Sequence, residues 1–165
     1  MADSSESKRL WRTALIVAGV GLLVLVPLWF LYVRVSNDAI QRRVIAANEA
    51  DALYTLELLA AAEHVHLQSF GVYGTIKQLN DTGILQTEFG GDPPARAGYA
   101  YTVRLTPKTD ARPPTYTVNA DPLTDKGREA TGRRHFYIGS EAIGVRVNED
   151  RPATAADKPR LSVDE

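Results

Sequence analysis

The chain has 165 residues and a formal net charge of −1, enough for one domain of ordinary size and without a basic field for nucleic acid. It contains no cysteine, which excludes disulfide staples, thiolate metal sites and cysteine nucleophiles. Residues 1–9 begin with the polar run "MADSSES" and read as a disordered tail.

No charge lies between Arg12 and Arg34. From Thr13 to Val33 is about 21 residues, or roughly 31 Å of helix, close to the roughly 30 Å of a bilayer's hydrocarbon core. The exit Trp29-Phe30-Leu31-Tyr32-Val33-Arg34 is bulky and then charged, unlike the small-residue cleavage site of a secretory signal. Residues 10–35 therefore read as a retained transmembrane helix, with Trp11, Trp29 and Tyr32 as anchors at the two interfaces. Ala14, Ala18 and Gly21 recur on one helix face, and Pro27 removes a backbone donor further along. Together they predict a packing seam for other transmembrane subunits. Lys8, Arg9 and Arg12 balance Arg34, Arg42 and Arg43, so charge leaves the orientation open.

Ser36 to Phe70 contains neither proline nor glycine. Ile40, Val44, Ala47, Tyr54, Leu58, Ala61 and Val65 recur at helical spacing, widened by Leu53, Leu56, Ala60 and Leu67. The opposite face is expected to carry Arg42, Arg43, Glu49, Glu57 and Glu63 into solvent. One helix is thus predicted from about Leu10 to Phe70, apolar all round in its first half and amphipathic in its second. Gly71 and Gly74 end it, and a short helical turn follows from Thr75 to Leu79. "EFGGDPPARAG" reads as loop.

The period then changes to two. Tyr99, Tyr101, Val103 and Leu105, then Tyr116, Val118 and Ala120, then Phe136 and Ile138, then Ile143, Val145 and Val147 mark about four strands. The predicted class is α+β: a long N-terminal helix packed on a small antiparallel sheet, with the amphipathic half of the helix covering its apolar face. Residues 36–148 form this domain, and 149–165 read as a second disordered tail.

"AANEADALYTLELLAAAEHVHLQSFGVYGTIKQL", "GYAYTVRLTP", "PPTYTVNADPLT" and "RRHFYIGSEAIGVRVN" give the region from Val44 to Asn148 an order of words that resembles type IV pilins and pseudopilins. The resemblance implies a pilin-like domain exported from a bacterial cytoplasmic membrane, periplasmic or extracellular, with a cytoplasmic N-terminus and pilin-like proteins among its partners. It stops at the apolar segment. Prepilins have a glycine cleavage site followed by an apolar run with a glutamate, whereas here Lys8-Arg9-Leu10-Trp11-Arg12 enters the run, no glycine precedes Gly19, and no acidic residue lies within it.

Sites of chemistry are not expected. His64 and His66 are two apart, so on a helix they diverge and cannot chelate one ion. Asp121, Asp125 and Glu129 are loosely spaced acids, a calcium pattern the resemblance suggests but the oxygen ligands leave incomplete. His135 is expected to be exposed. Ser140 lacks a nucleophile elbow, and Gly90-Gly91 opens no helix. No enzyme activity and no cofactor are predicted. The leading expectation is a non-catalytic, single-span accessory subunit of a larger membrane complex. The alternatives are a minor pilin or pseudopilin of a type IV pilus or type II secretion system, and a tethered binding module using Tyr99, Tyr101 and Tyr116.

Overall fold

The computed structural model describes residues 4–160, and for 4–10, 12–21 and 24 it describes the backbone alone. The chain divides into two units, Met1–Arg42 and Arg43–Glu165. Helix α1 (Ser4–Phe70) contributes to both and continues through Pro27. It stops where expected: Gly71 takes φ +74° and donates its N–H to the Leu67 carbonyl at 2.8 Å. A left-handed residue after the last turn satisfies carbonyls that the helix leaves open, and glycine adopts it without a Cβ clash.

The anchor predicted at 10–35 does not stand. Among the described residues no helix is long and apolar enough to cross a membrane. The assignment to a bacterial cytoplasmic membrane, with a cytoplasmic N-terminus and a periplasmic or extracellular domain, falls with it.

In the second unit, α2 (Ile76–Asp81) begins with a capping box. Thr75 Oγ1 accepts from Gln78 N–H, and Gln78 Oε1 accepts from Thr75 N–H at 2.8 Å, which satisfies donors that a helix start leaves unpaired. The sheet follows as an antiparallel meander in sequence order: β1 (Ala95–Arg96), β2 (Tyr99–Thr106), β3 (Thr115–Pro122), β4 (His135–Gly139), β5 (Arg146–Asn148) and β6 (Lys158–Pro159). Tyr101 pairs with Ala120, which pairs with Phe136, and Val103 pairs with Val118, which pairs with Ile138. Register therefore puts the alternating apolar residues on one face. There they meet Ala52, Leu53, Leu56, Leu59 and Ala62 of α1 in a single core with Leu79 and Leu85.

The sheet has six strands where four were expected. β1 lies in a stretch read as loop and β6 in the stretch read as a tail. A two-residue edge strand has no alternation to detect, so neither leaves a periodic trace in the sequence. Residues 149–157 are ordered by side chains instead. Asp157 accepts from Asn148 Nδ2, Arg151 Nη1 and Nη2, and both Thr154 N–H and Oγ1, all between 2.8 and 3.0 Å. Asn119 Nδ2 donates to the Ala153 carbonyl at 2.7 Å, fastening this strap to β3.

The buried stripe of α1 is also turned from its predicted position. Ile40, Val44, Tyr54 and Val65 are exposed, whereas Glu49 and Glu63, expected in solvent, are 5% and 0% exposed. Both glutamates sit in line with Ile45, Ala52, Leu56 and Leu59, and receive backbone N–H groups, Glu63 from the connection after α1 and Glu49 from the approach to β4. Hydropathy marks such residues as surface, while hydrogen bonding permits their burial.

Candidate assembly surface

Turning Glu49 and Glu63 inward turns apolar side chains outward. Tyr54, Leu58, Ala61 and Val65 lie four, three and four residues apart and so share one face of α1. With Ile84 and Leu85 they line an open groove of about 470 Å³ that has Arg96 among its walls. Arg96 is held there by Asp51, Nε to Oδ2 at 3.0 Å and Nη2 to Oδ1 at 3.1 Å. This fork-on-carboxylate pair fixes the guanidinium's geometry, so the groove carries no unpaired charge of its own at that end.

The first unit exposes far more. Leu22, Leu23, Leu25, Val26, Leu28, Trp29, Phe30, Leu31, Tyr32 and Val35 are between 45% and 76% exposed. Trp29 and Tyr32 stand with ring centroids 6.4 Å apart, and with Leu25, Val26 and Leu28 they line a shallow cleft of about 480 Å³. Pro27 lies within this run. Trp11, the remaining predicted anchor, is 71% exposed. The seam residues Ala14, Ala18 and Gly21 lie outside the residues whose side chains are described. Arg34 is the one charged residue between Leu22 and Val35.

Several ionisable groups hold elements of the second unit together. Glu49 Oε1 accepts from the N–H groups of Arg133 and Arg134 at 3.0 and 3.3 Å, and Oε2 accepts from Arg134 Nε at 2.7 Å. The same guanidinium stands 5.8 Å over the Phe136 ring. Tyr99 Oη donates to the Arg134 carbonyl at 2.9 Å, so α1, β2 and the approach to β4 are tied at one point. Burial pushes the Tyr101 and Tyr116 hydroxyls up to about 12, as expected of phenols whose charged form would lose water. These tyrosines, the basis of a ligand-binding alternative, are core residues, as is Tyr99.

His135 is buried rather than exposed, with Nδ1 2.6 Å from Asp121 Oδ1. That contact takes up one of the acids of the suggested calcium pattern. His64 and His66 separate as the helix requires: His64 Nε2 meets Gln68 at 2.9 Å, and His66 Nδ1 meets the Val72 carbonyl at 2.8 Å. Among the described residues no three His, Asp or Glu are grouped to hold a metal ion. The sequence signal that could have located the buried carboxylates is their spacing. Glu49 and Glu63 fall in register with Leu56 at seven-residue intervals, which places all three on one helix face.

Comparison with protein-family models, with curated proteins and with solved structures finds no match in any of the three.

Proposed function

We propose that this protein is a non-catalytic structural or accessory subunit of a larger protein complex, and that α1 is the element through which it assembles. The observation that carries this reading is the exposed apolar surface from Leu22 to Val35. Side chains such as Leu, Phe and Trp lose roughly 1.5–3 kcal/mol each by remaining in water, so a run of them is stable in solution only when covered. The groove around Tyr54, Leu58 and Val65 offers a second, smaller contact on the same helix. The organisation of α1, a capped turn and an antiparallel meander agrees with the pilin-like order of the sequence words. It favours, as a second reading, a minor pilin or pseudopilin of a type IV pilus or type II secretion system.

Native mass spectrometry of the complex isolated from cells distinguishes these readings. The full-length chain in a discrete complex with unrelated subunits is the expected result. Recovery with pilins or secretion-filament proteins supports the second reading. A stable monomer with residues 22–35 accessible to labelling would overturn both.

A further inference from the structure

Glu63 and His66, one turn apart on α1, are 0% and 5% exposed, and together they hold the backbone that follows the helix. Glu63 Oε2 accepts from the Gly74 N–H at 2.8 Å. His66 Nδ1 lies 2.8 Å from the Val72 carbonyl, so that nitrogen carries the proton. The ring of His66 also fills the space beside Gly74: a Cβ there would stand 3.2 Å from Cε1 and Nε2. Phe70 stacks on the same imidazole at 4.6 Å. Gly74 is in turn followed by Thr75, the N-cap of α2. Both side chains thus grip one short connection, 71–75.

The grip is incomplete at one atom. Glu63 Oε1 is buried and accepts no hydrogen bond from any described residue. The titratable groups facing Glu63 are His66 from α1 itself, Tyr73 from the connection and Tyr116 from β3. The rings of Tyr73 and Tyr116 pack with centroids 4.8 Å apart. His66 is therefore the one basic group among them. An ionised Glu63 would keep a full charge in a site that provides one backbone N–H and a neighbouring imidazole.

We infer that Glu63 and His66 form a proton-linked latch, which holds the connection between α1 and α2 while Glu63 is neutral and loosens it when Glu63 ionises. Two effects compete. Ionisation strengthens the bond from Gly74, and it exposes the carboxylate to the cost of burial. Burial is the larger, and the carboxyl is held above its ordinary range. The sign follows from linkage. A carboxyl raised in the closed state binds its proton more tightly there than in the open state. The latch is therefore at full strength below the ordinary glutamate value and weakens as pH rises towards the raised one. Release frees the segment carrying Phe70 and Val72, both already more than half exposed, so the end of α1 and the start of α2 are coupled to solvent pH. This inference concerns the second unit alone and stands whether or not the assembly reading does.

Amide hydrogen exchange at Gly74 in the full-length protein, read as a protection factor between pH 4.5 and 8, tests it. The wild-type factor is expected to fall by about tenfold for each pH unit between the ordinary and raised values, then level off. Glu63→Gln keeps an acceptor for Gly74 and cannot ionise, so its protection factor should stay flat to within about twofold. His66→Asn keeps a donor for the Val72 carbonyl and removes the imidazole that favours the ionised carboxylate, and it should extend the fall to higher pH. If Glu63→Gln does not fold, the 13C titration of the Glu63 carboxyl in the wild type decides. Loss of protection that begins near the ordinary glutamate value and levels off at the midpoint of that titration supports the latch. Titration without such loss, a fall that levels off away from that midpoint, or a Glu63→Gln profile falling like the wild type would overturn it.

Discussion

At the scale of single residues, the buried acids do most to distinguish this domain from a generic helix on a sheet. Glu49 satisfies the N–H groups of Arg133 and Arg134 while pairing with the Arg134 side chain. Removing one member of such a group leaves the others desolvated and unpaired, which costs more than the pair itself contributes. Glu49→Ala is expected to destabilise the second unit by roughly 2–4 kcal/mol in urea unfolding, the partial exposure of Arg134 moderating the loss. The core tyrosines make a complementary prediction. With Tyr101 and Tyr116 pushed up to about 12 by burial, tyrosinate absorbance at these positions should be absent at pH 10 and develop near pH 12. Phenols raised in the folded state stabilise it fully below their ordinary value and withdraw that contribution as pH climbs through the raised one. Unfolding in alkali should therefore accompany their titration, and Tyr101→Phe should lose its share of the late absorbance.

Elements meet where the chain leaves no room for side chains. A Cβ on Gly132 would run into the hydroxyl and ring of Tyr99, the same hydroxyl that donates to the Arg134 carbonyl. Gly132→Ala should cost about 1–3 kcal/mol, because overfilling a packed site forces neighbouring groups off their minima. A lowered urea midpoint with an unchanged slope would be its signature. The strap 149–157 depends on Asp157 in a different way. Hydrogen bonds from Asn148, Thr154 and Arg151 hold its carboxyl well below the usual range. A depressed carboxyl contributes above its ordinary pKa and loses that contribution as pH falls through the depressed one. Asp157→Asn is expected to make 149–160 readily cleaved by protease at neutral pH, while the wild type should reach that susceptibility only in strong acid.

For the whole molecule, the two units differ in how their apolar groups are covered. The second unit buries its own: Leu56, Leu59, Tyr99 and Phe136 are fully enclosed. The first leaves Leu23, Trp29 and Phe30 more than half exposed. Replacing Trp29 and Phe30 with serine should leave the urea stability of the second unit within about 0.5 kcal/mol of wild type, as for surface positions generally. The same change should abolish recovery of the protein in its native complex, judged by mass. Retention of the complex in that variant would place the contact elsewhere, with the groove at Tyr54 and Val65 as the next surface to alter.

Much of this architecture was legible in the sequence. The end of α1 at Phe70, the helical turn after Thr75 and the central strands follow from glycine placement and alternation at period two, local properties of the chain. Tertiary structure decided the remainder. Two-residue edge strands exist only because a neighbouring strand offers them hydrogen bonds. Asp157 orders its strap through partners that no periodicity marks. The apolar run in α1 suggested a membrane span that the described helix does not provide. Most tellingly, Glu49 and Glu63 read as solvent-facing because their charge outweighs their position. They are buried because the connection after α1 brings an N–H to Glu63 and the approach to β4 brings two to Glu49, a contribution that the helix sequence alone cannot express.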